Sequence, residues 1–169
     1  MKPRSVPEDV LSQVMTKELV FHLERRNFGV VQGIHMADGG LVAAVRQCGA
    51  LADDIEWFVP GPEVLPFAGA WKGVEGLWQL ERTFHKAVRV DKVDLTRYLV
   101  SGNDVAAVFT LDGYARGTGR PFRSEVMRLY TLEEGRIVRI RSAYDTAAMV
   151  EAVAGFSAPA HPETLLKRA

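Results

Sequence analysis

Four strand-like runs separated by three tight turns fill residues 91–144, and no other feature restricts the fold of this chain as much. The first run covers 91–100 and ends at the Asn103-Asp104 turn. The second covers Val105 to Arg116 and ends at Gly117-Thr118-Gly119. The third covers Phe122 to Leu132, and Glu133-Glu134-Gly135 returns it into the fourth, Arg136 to Tyr144. Alternating runs joined by such short turns predict antiparallel neighbours. Strands of about ten residues do not stay flat, because each carries a right-handed twist. The sheet is therefore expected to coil and leave a cavity at one end.

The first half of the chain reads as helical. Residues 5–26 form the first expected helix, with Ser5 as cap, Pro7 in the first turn and Glu8 and Asp9 at the positive end. Asn27-Phe28-Gly29 predicts a break, residues 30–37 a second helical piece, and Asp38-Gly39-Gly40 a turn. Leu41, Val45, Cys48 and Ala52 then mark one face of a further helix, which Asp53-Asp54 caps or ends. IEWFV, residues 55–59, is short, β-branched and aromatic and reads as a strand, and the proline-rich PGPEVLPFAG reads as a loop. Residues 74–88 carry a helical stripe of Val74, Leu77, Trp78, Phe84 and Val88, with Glu81 and His85 on the same face. A short helix is expected at 146–154 and a mobile tail at 155–169. Helices first and strands after predict an α+β domain whose helices cover one face of the sheet.

Composition narrows the functions open to such a domain. At 169 residues the chain has room for one domain with a real core. Lys plus Arg and Asp plus Glu both number 21, so no general electrostatic pull on nucleic acid or anionic membrane is expected. No apolar run reaches the roughly 18 residues of a membrane span. The first ten residues, MKPRSVPEDV, lack the apolar core of a secretory signal. Cys48 is the single cysteine, which fits the reducing cytoplasm, and on its helical stripe it reads as inert packing. The four histidines are scattered and give no zinc spacing, and the phosphate-binding and nucleophile-elbow motifs are absent from the sequence. Neither a metal nor an organic cofactor is expected.

Taken in order, ADDIEWFVPGP, LPFAG with WKGVEGLW, SGNDVAAVFTLDGYARGTGRPF and LYTLEEGRIVRIRSAYDTAAMVEAV resemble the SnoaL-like, polyketide-cyclase branch of the nuclear-transport-factor-2-like superfamily. That superfamily also holds ketosteroid isomerase, limonene epoxide hydrolase and scytalone dehydratase. The resemblance covers about residues 28–154, leaving 1–27 as an N-terminal helical extension. It implies a cone-shaped barrel, a curved antiparallel sheet wrapped round N-terminal helices and an apolar pocket. It also implies a cofactor-independent enzyme that moves protons on a small apolar molecule, by isomerisation, cyclisation, dehydration or epoxide hydration. The alternative is a non-catalytic protein that binds a small molecule in the same pocket.

The family's catalytic positions carry over only in part. The isomerase carboxylate on the strand after the acidic pair corresponds to Trp57, and the second carboxylic acid to Met127. The helix-borne tyrosine falls near His35 or Met36. The Arg and Asp of the epoxide hydrolases correspond to Thr110 and Asp112, so the arginine is missing. The acid–base Asp after the last strand corresponds to Asp145. A general base at Asp145, helped by His85 or Tyr144, is the catalytic expectation, and an N-cap for the helix beginning at residue 146 is the competing one. Strict alternation puts Asp145 on the face of Arg139 and Arg141 unless the strand is bulged or has ended by Tyr144. Glu81 and His85 form a possible proton-moving pair. Trp57, Phe67, Trp78, Phe109 and Met127 are the expected ligand-binding walls. Glu125 reads as a strand residue bonded to Arg123 or Arg128, or as a pocket acid if Met127 faces inward. Seven arginines between Arg116 and Arg141 read as a solvated outer face or part of a homodimer interface, with an anion site as the other possibility.

Overall fold

The computed structural model describes residues 22–31 and 50–155. Helix α1 covers residues 22–31. After it come β1 (Leu51–Val59), β2 (Gly69–Lys72), α2 (Gly73–Ala87), β3 (Val88–Ser101), β4 (Asp104–Ala115), β5 (Pro121–Glu133), β6 (Arg136–Tyr144) and α3 (Thr146–Ala154). The six strands form one curved sheet in the order β2-β1-β6-β5-β4-β3, open at β2 and β3. The cone is thus an open sheet rather than a closed barrel. Every adjacent pair is antiparallel except β1 and β6, which run parallel.

Alternation along the strands decides which face is filled. On β4, Val105, Ala107, Phe109, Leu111 and Ala115 are buried, and on β5 Phe122, Ser124, Val126, Tyr130 and Leu132 are buried. Ile55, Trp57 and Val59 on β1, with Ile137 and Ile140 on β6, complete the inner face. Helix α2 presses Leu77 and Leu80 against β1 and β2, and α3 presses Met149 and Ala152 against β4 and β5. Ladder slips at Leu51/Glu56, Leu95/Arg97 and Thr131/Leu132 interrupt the register and bend the sheet. A further slip at Val90/Lys92 lies opposite Gly113, where an added Cβ would sit 2.0 Å from the Arg89 carbonyl oxygen. Only glycine allows that approach. The EEGR turn is a two-residue hairpin loop with Glu134 at φ 51° and Gly135 at φ 82°, the twist that favours long antiparallel partners.

Several sequence expectations change here. The helix runs through Asn27-Phe28-Gly29 without a break and crosses the boundary expected after residue 27. Asn27 is fully buried there and donates its Nδ2 to the Gly102 carbonyl at 3.0 Å, while Glu24 Oε1 accepts from Gly102 N at 2.8 Å. The segment that ends at Ala52 is extended from Leu51 onward, and Asp53 and Asp54 are exposed positions inside β1 rather than a helix terminus. Ile137 N donates to the Ala50 carbonyl at 2.8 Å, so pairing with β6 has already begun at residue 50. The end of the proline-rich loop folds back as β2, pairing Trp71 opposite Trp57. The expectations for 5–21, 32–49 and 156–169, including His35, Met36 and Cys48, lie outside the described residues. Among those described, no helix is long and apolar enough to cross a membrane.

Candidate functional site

The inner face of the sheet, α2 and α3 enclose a cavity of about 300 Å³. Trp57, Val59, Phe67, Phe84, Phe109, Leu111 and Val126 supply apolar wall, and Met149 reaches in from α3. Phe67 and Phe84 meet edge to face at 5.1 Å, which fixes one aromatic corner. Trp57 is 7% exposed and donates its indole N–H to Ser142 Oγ at 2.9 Å, so both polar atoms are satisfied on the cavity wall. The expected wall residues Trp57, Phe67 and Phe109 therefore converge on one space.

Two expected wall residues do not join them. Met127 is 48% exposed and points to the outer face of the sheet, as does Glu125, because Val126 and Arg128 take the inward positions of β5. Trp78 lies instead on a shallow outer groove of α2 with Glu75, Glu81, Arg82, His85 and Lys86. Leu77 and Leu80 take the inward face of α2, and Trp78 lies beside that face on the groove side. Asp112 is also on the outer face, paired with Arg123 at 3.2 Å.

The polar groups at the cavity are few. Tyr144 lines it, but its hydroxyl donates to the Pro60 carbonyl at 2.5 Å, and burial pushes its pKa up to about 12. Its proton is engaged with the backbone and does not ionise near neutrality. Glu81 and His85 line the cavity and the outer groove alike, so they stand at the junction between them, four residues apart on α2. Asp145 does not line the cavity. It is exposed and caps α3, accepting from Ala148 N at 3.0 Å.

Among the cavity residues that sequence reasoning missed, the one that changes the chemistry is an arginine. Arg128 lines the cavity, with its guanidinium carbon 4.8 Å from the Trp57 ring and 4.9 Å from the Phe109 ring. Its Nε is buried with no hydrogen-bond partner, and no carboxylate pairs with it among the described residues. Burial pushes the neighbouring Tyr130 phenol up, and the charge of Arg128 and a side-chain hydrogen bond with it pull the phenol partly back. A desolvated cation–π contact contributes up to about 2 kcal/mol. Withdrawing a cation from water into an apolar site costs several kcal/mol. Arg128 is half-buried, so only part of that cost applies to it, and the two rings offset some of that part. Even-numbered β5 positions from 122 to 132 carry Phe, Ser, Val, Arg, Tyr and Leu, and the odd ones only Met and Leu as large apolar residues. That contrast was the available sequence signal that Arg128 faces inward.

No group of His, Cys, Asp and Glu among the described residues is arranged to hold a metal ion. What the site offers is an apolar slot for a flat molecule, one cation inside it and a carboxylate–imidazole pair at its rim.

Comparison with known proteins agrees with this architecture. The family model of the SnoaL-like domain matches residues 30–140. An NTF2-like protein from Burkholderia xenovorans LB400 superimposes with a TM-score of 0.67 at 25% identity, covering 77% of this chain and 97% of that one. A protein of Jannaschia sp. CCS1, provisionally assigned as a SnoaL-like polyketide cyclase, gives 0.66 at 18% identity, covering 80% and 96%. TerC, co-crystallised with polyporic acid, gives 0.64 at 16% identity, covering 76% and 98%. At these lower identities the likeness carries the fold alone. No curated protein matches the chain. The family match spans the helix-to-sheet order from α1 to β6, and the chain belongs to the SnoaL-like domain family within the NTF2-like superfamily.

Proposed function

We propose that this protein is a cofactor-independent enzyme that moves a proton on a small, largely apolar molecule held in the inner cavity. The observation that carries the reading is the Glu81–His85 pair at the rim of an aromatic cavity. In this reading Glu81 or His85 takes a proton from a carbon beside a carbonyl. The C–H electron pair moves onto the carbonyl oxygen as an enolate forms. The proton then returns at a second carbon, or the enolate carbon attacks a carbonyl elsewhere in the molecule. Isomerisation or ring closure results without an oxidant or reductant. The apolar walls keep water from quenching the enolate. Tyr144 holds the cavity wall to Pro60 and takes no part in the transfer. The lone Cys48 fits a reducing compartment, and this reading puts the protein in the cytoplasm.

A second reading, a non-catalytic binding protein, is favoured by two positions. Trp57 stands where the isomerases carry a carboxylate, and Asp145 is engaged as a helix cap. One experiment separates the two. Carbonyl compounds with acidic C–H bonds, among them 2-tetralone and a 1,3-diketone, are incubated with the protein in D₂O and followed by proton NMR. An enzyme exchanges the acidic protons faster than buffer does, and Glu81→Gln or His85→Asn lowers that rate by about 10²–10⁴-fold. Compounds that raise the melting temperature yet show no enhanced exchange with any probe would support the binding protein instead.

A further inference from the structure

We infer that the cavity selects planar, conjugated ligands that carry an ionised oxygen, a ring-attached carboxylate or phenolate, and that Arg128 is the residue that selects them. The inference rests on the reading above that this cavity is the ligand site. Three observations carry it. Arg128 is the cation that lines the cavity, and its guanidinium lies against Trp57 and Phe109. Its Nε is buried without a hydrogen-bond partner. All six ion pairs among the described residues involve other groups, and those joining Lys72 to Glu56, Arg89 to Asp91 and Lys92 to Asp94 are exposed.

A guanidinium is a planar fork of donors that matches the two oxygens of a carboxylate and stays charged at every physiological pH. In an apolar cavity its attraction for an anion is far less screened than at the surface. Trp57 and Phe109 line the same cavity as Arg128, so a ring bonded to the ionised oxygen meets apolar wall while the oxygen meets the fork. The cavity of about 300 Å³ equals the volume of roughly ten water molecules, which suits one or two fused rings. Anchoring one end of the ligand at Arg128 on β5 leaves its other end to Glu81 and His85 on α2. Arg128 is then a specificity-determining residue that orients the substrate.

The test uses 2-naphthoate, its neutral isostere 2-naphthamide, and 4-nitrophenolate at a pH where it is ionised. Binding is read by quenching of tryptophan fluorescence and by calorimetry on the full chain, for wild type, Arg128→Met and Arg128→Lys. Wild type is expected to bind 2-naphthoate at least tenfold more tightly than 2-naphthamide. Arg128→Met is expected to lose that preference while still binding 2-naphthamide, and Arg128→Lys to keep part of it. An intact cooperative melting transition shows that Arg128→Met is folded. Tighter binding of 2-naphthoate than of 4-nitrophenolate assigns the oxygen to a carboxylate, and the reverse assigns it to a phenolate. Either order supports the inference. If wild type binds 2-naphthamide but 2-naphthoate no better, Arg128 does not select anions and the inference fails, while the cavity remains the ligand site. A preference for naphthoate that survives in Arg128→Met also overturns it. If neither naphthalene probe nor 4-nitrophenolate binds, the cavity reading and the inference fall together.

Discussion

Replacing Asp145 separates the two roles the sequence left open for it. Its Oδ1 accepts one hydrogen bond, from Ala148 N at 3.0 Å, at the start of the nine-residue helix α3. Asp145→Ala removes that acceptor and leaves the first-turn N–H to water, a loss of about 1 kcal/mol for a typical cap. The carboxylate charge at the positive helix end adds a few tenths more, about 0.3 kcal/mol at an exposed site in ordinary salt. Asp145→Asn keeps the acceptor and loses only the charge. For a chain of this length each kcal/mol shifts the melting temperature by about 2–4 °C. Asp145→Ala is therefore expected to melt about 3–5 °C lower and Asp145→Asn within about 1 °C of wild type. Met149 follows this turn and lines the cavity, so the alanine variant has an indirect route to weaker ligand binding, which the asparagine variant lacks. Differential scanning calorimetry gives the melting temperatures, and deuterium exchange into whichever carbonyl probe responds gives the rate. Asp145→Asn is expected to keep that rate. A hundredfold loss of rate in Asp145→Asn with an unchanged melting temperature would refute the capping assignment and make Asp145 a base.

Tyr144 sets a pH dependence. Its pKa in the folded chain rises to about 12, so the folded protein holds this proton where the unfolded chain releases it. The stability it contributes is fully present below the unfolded value near pH 10 and is lost as pH climbs toward about 12. Urea midpoints measured across that range should fall, and Tyr144→Phe should fall less steeply; equal slopes would contradict the assignment. The outer face of the sheet exposes Leu99 at 58%, Met127 at 48% and Leu129 at 38%, and the Leu99–Ala106–Leu129 register puts two of them in one row. We expect a homodimer through this face, with Leu129→Glu sedimenting as a monomer; a wild-type monomer at micromolar concentration would remove the expectation. Trp57 cannot accept a proton and Met127 lies outside the cavity, so 3-ketosteroid isomerisation should be negligible. Turnover near ~10 per second on such a steroid would overturn that.

The meander was legible because its turns carry residues that only turns favour. Gly135 and Glu134 sit at positive φ where the EEGR sequence placed the reversal. The start of β1 was not legible. Leu51 and Ala52 fit a helical stripe as well as a strand, and what decides is parallel pairing with β6 more than eighty residues away. The same distant pairing makes Asp53-Asp54 strand residues instead of a cap. Trp57, Phe67 and Phe109 were readable as cavity wall because large aromatics on inner strand or loop positions have nowhere else to go. Met127 was expected inward because it corresponds to the isomerases' second carboxylic acid, whereas the apolar content of the even-numbered β5 positions turns Arg128 inward. Charge also argued against an inward arginine, since buried cations are rare. That rarity is why Arg128 points to function once its position is known.

The cavity lined by Trp57, Phe109 and Arg128 is where a ligand is expected to sit. A crystal of the protein grown with 2-naphthoate tests this directly. The expected density is a naphthalene ring against Trp57 and Phe109, with its carboxylate within hydrogen-bonding distance, about 2.7–3.2 Å, of the Arg128 guanidinium. An empty cavity with the probe lying instead along the outer groove of α2 beside Trp78 would contradict it.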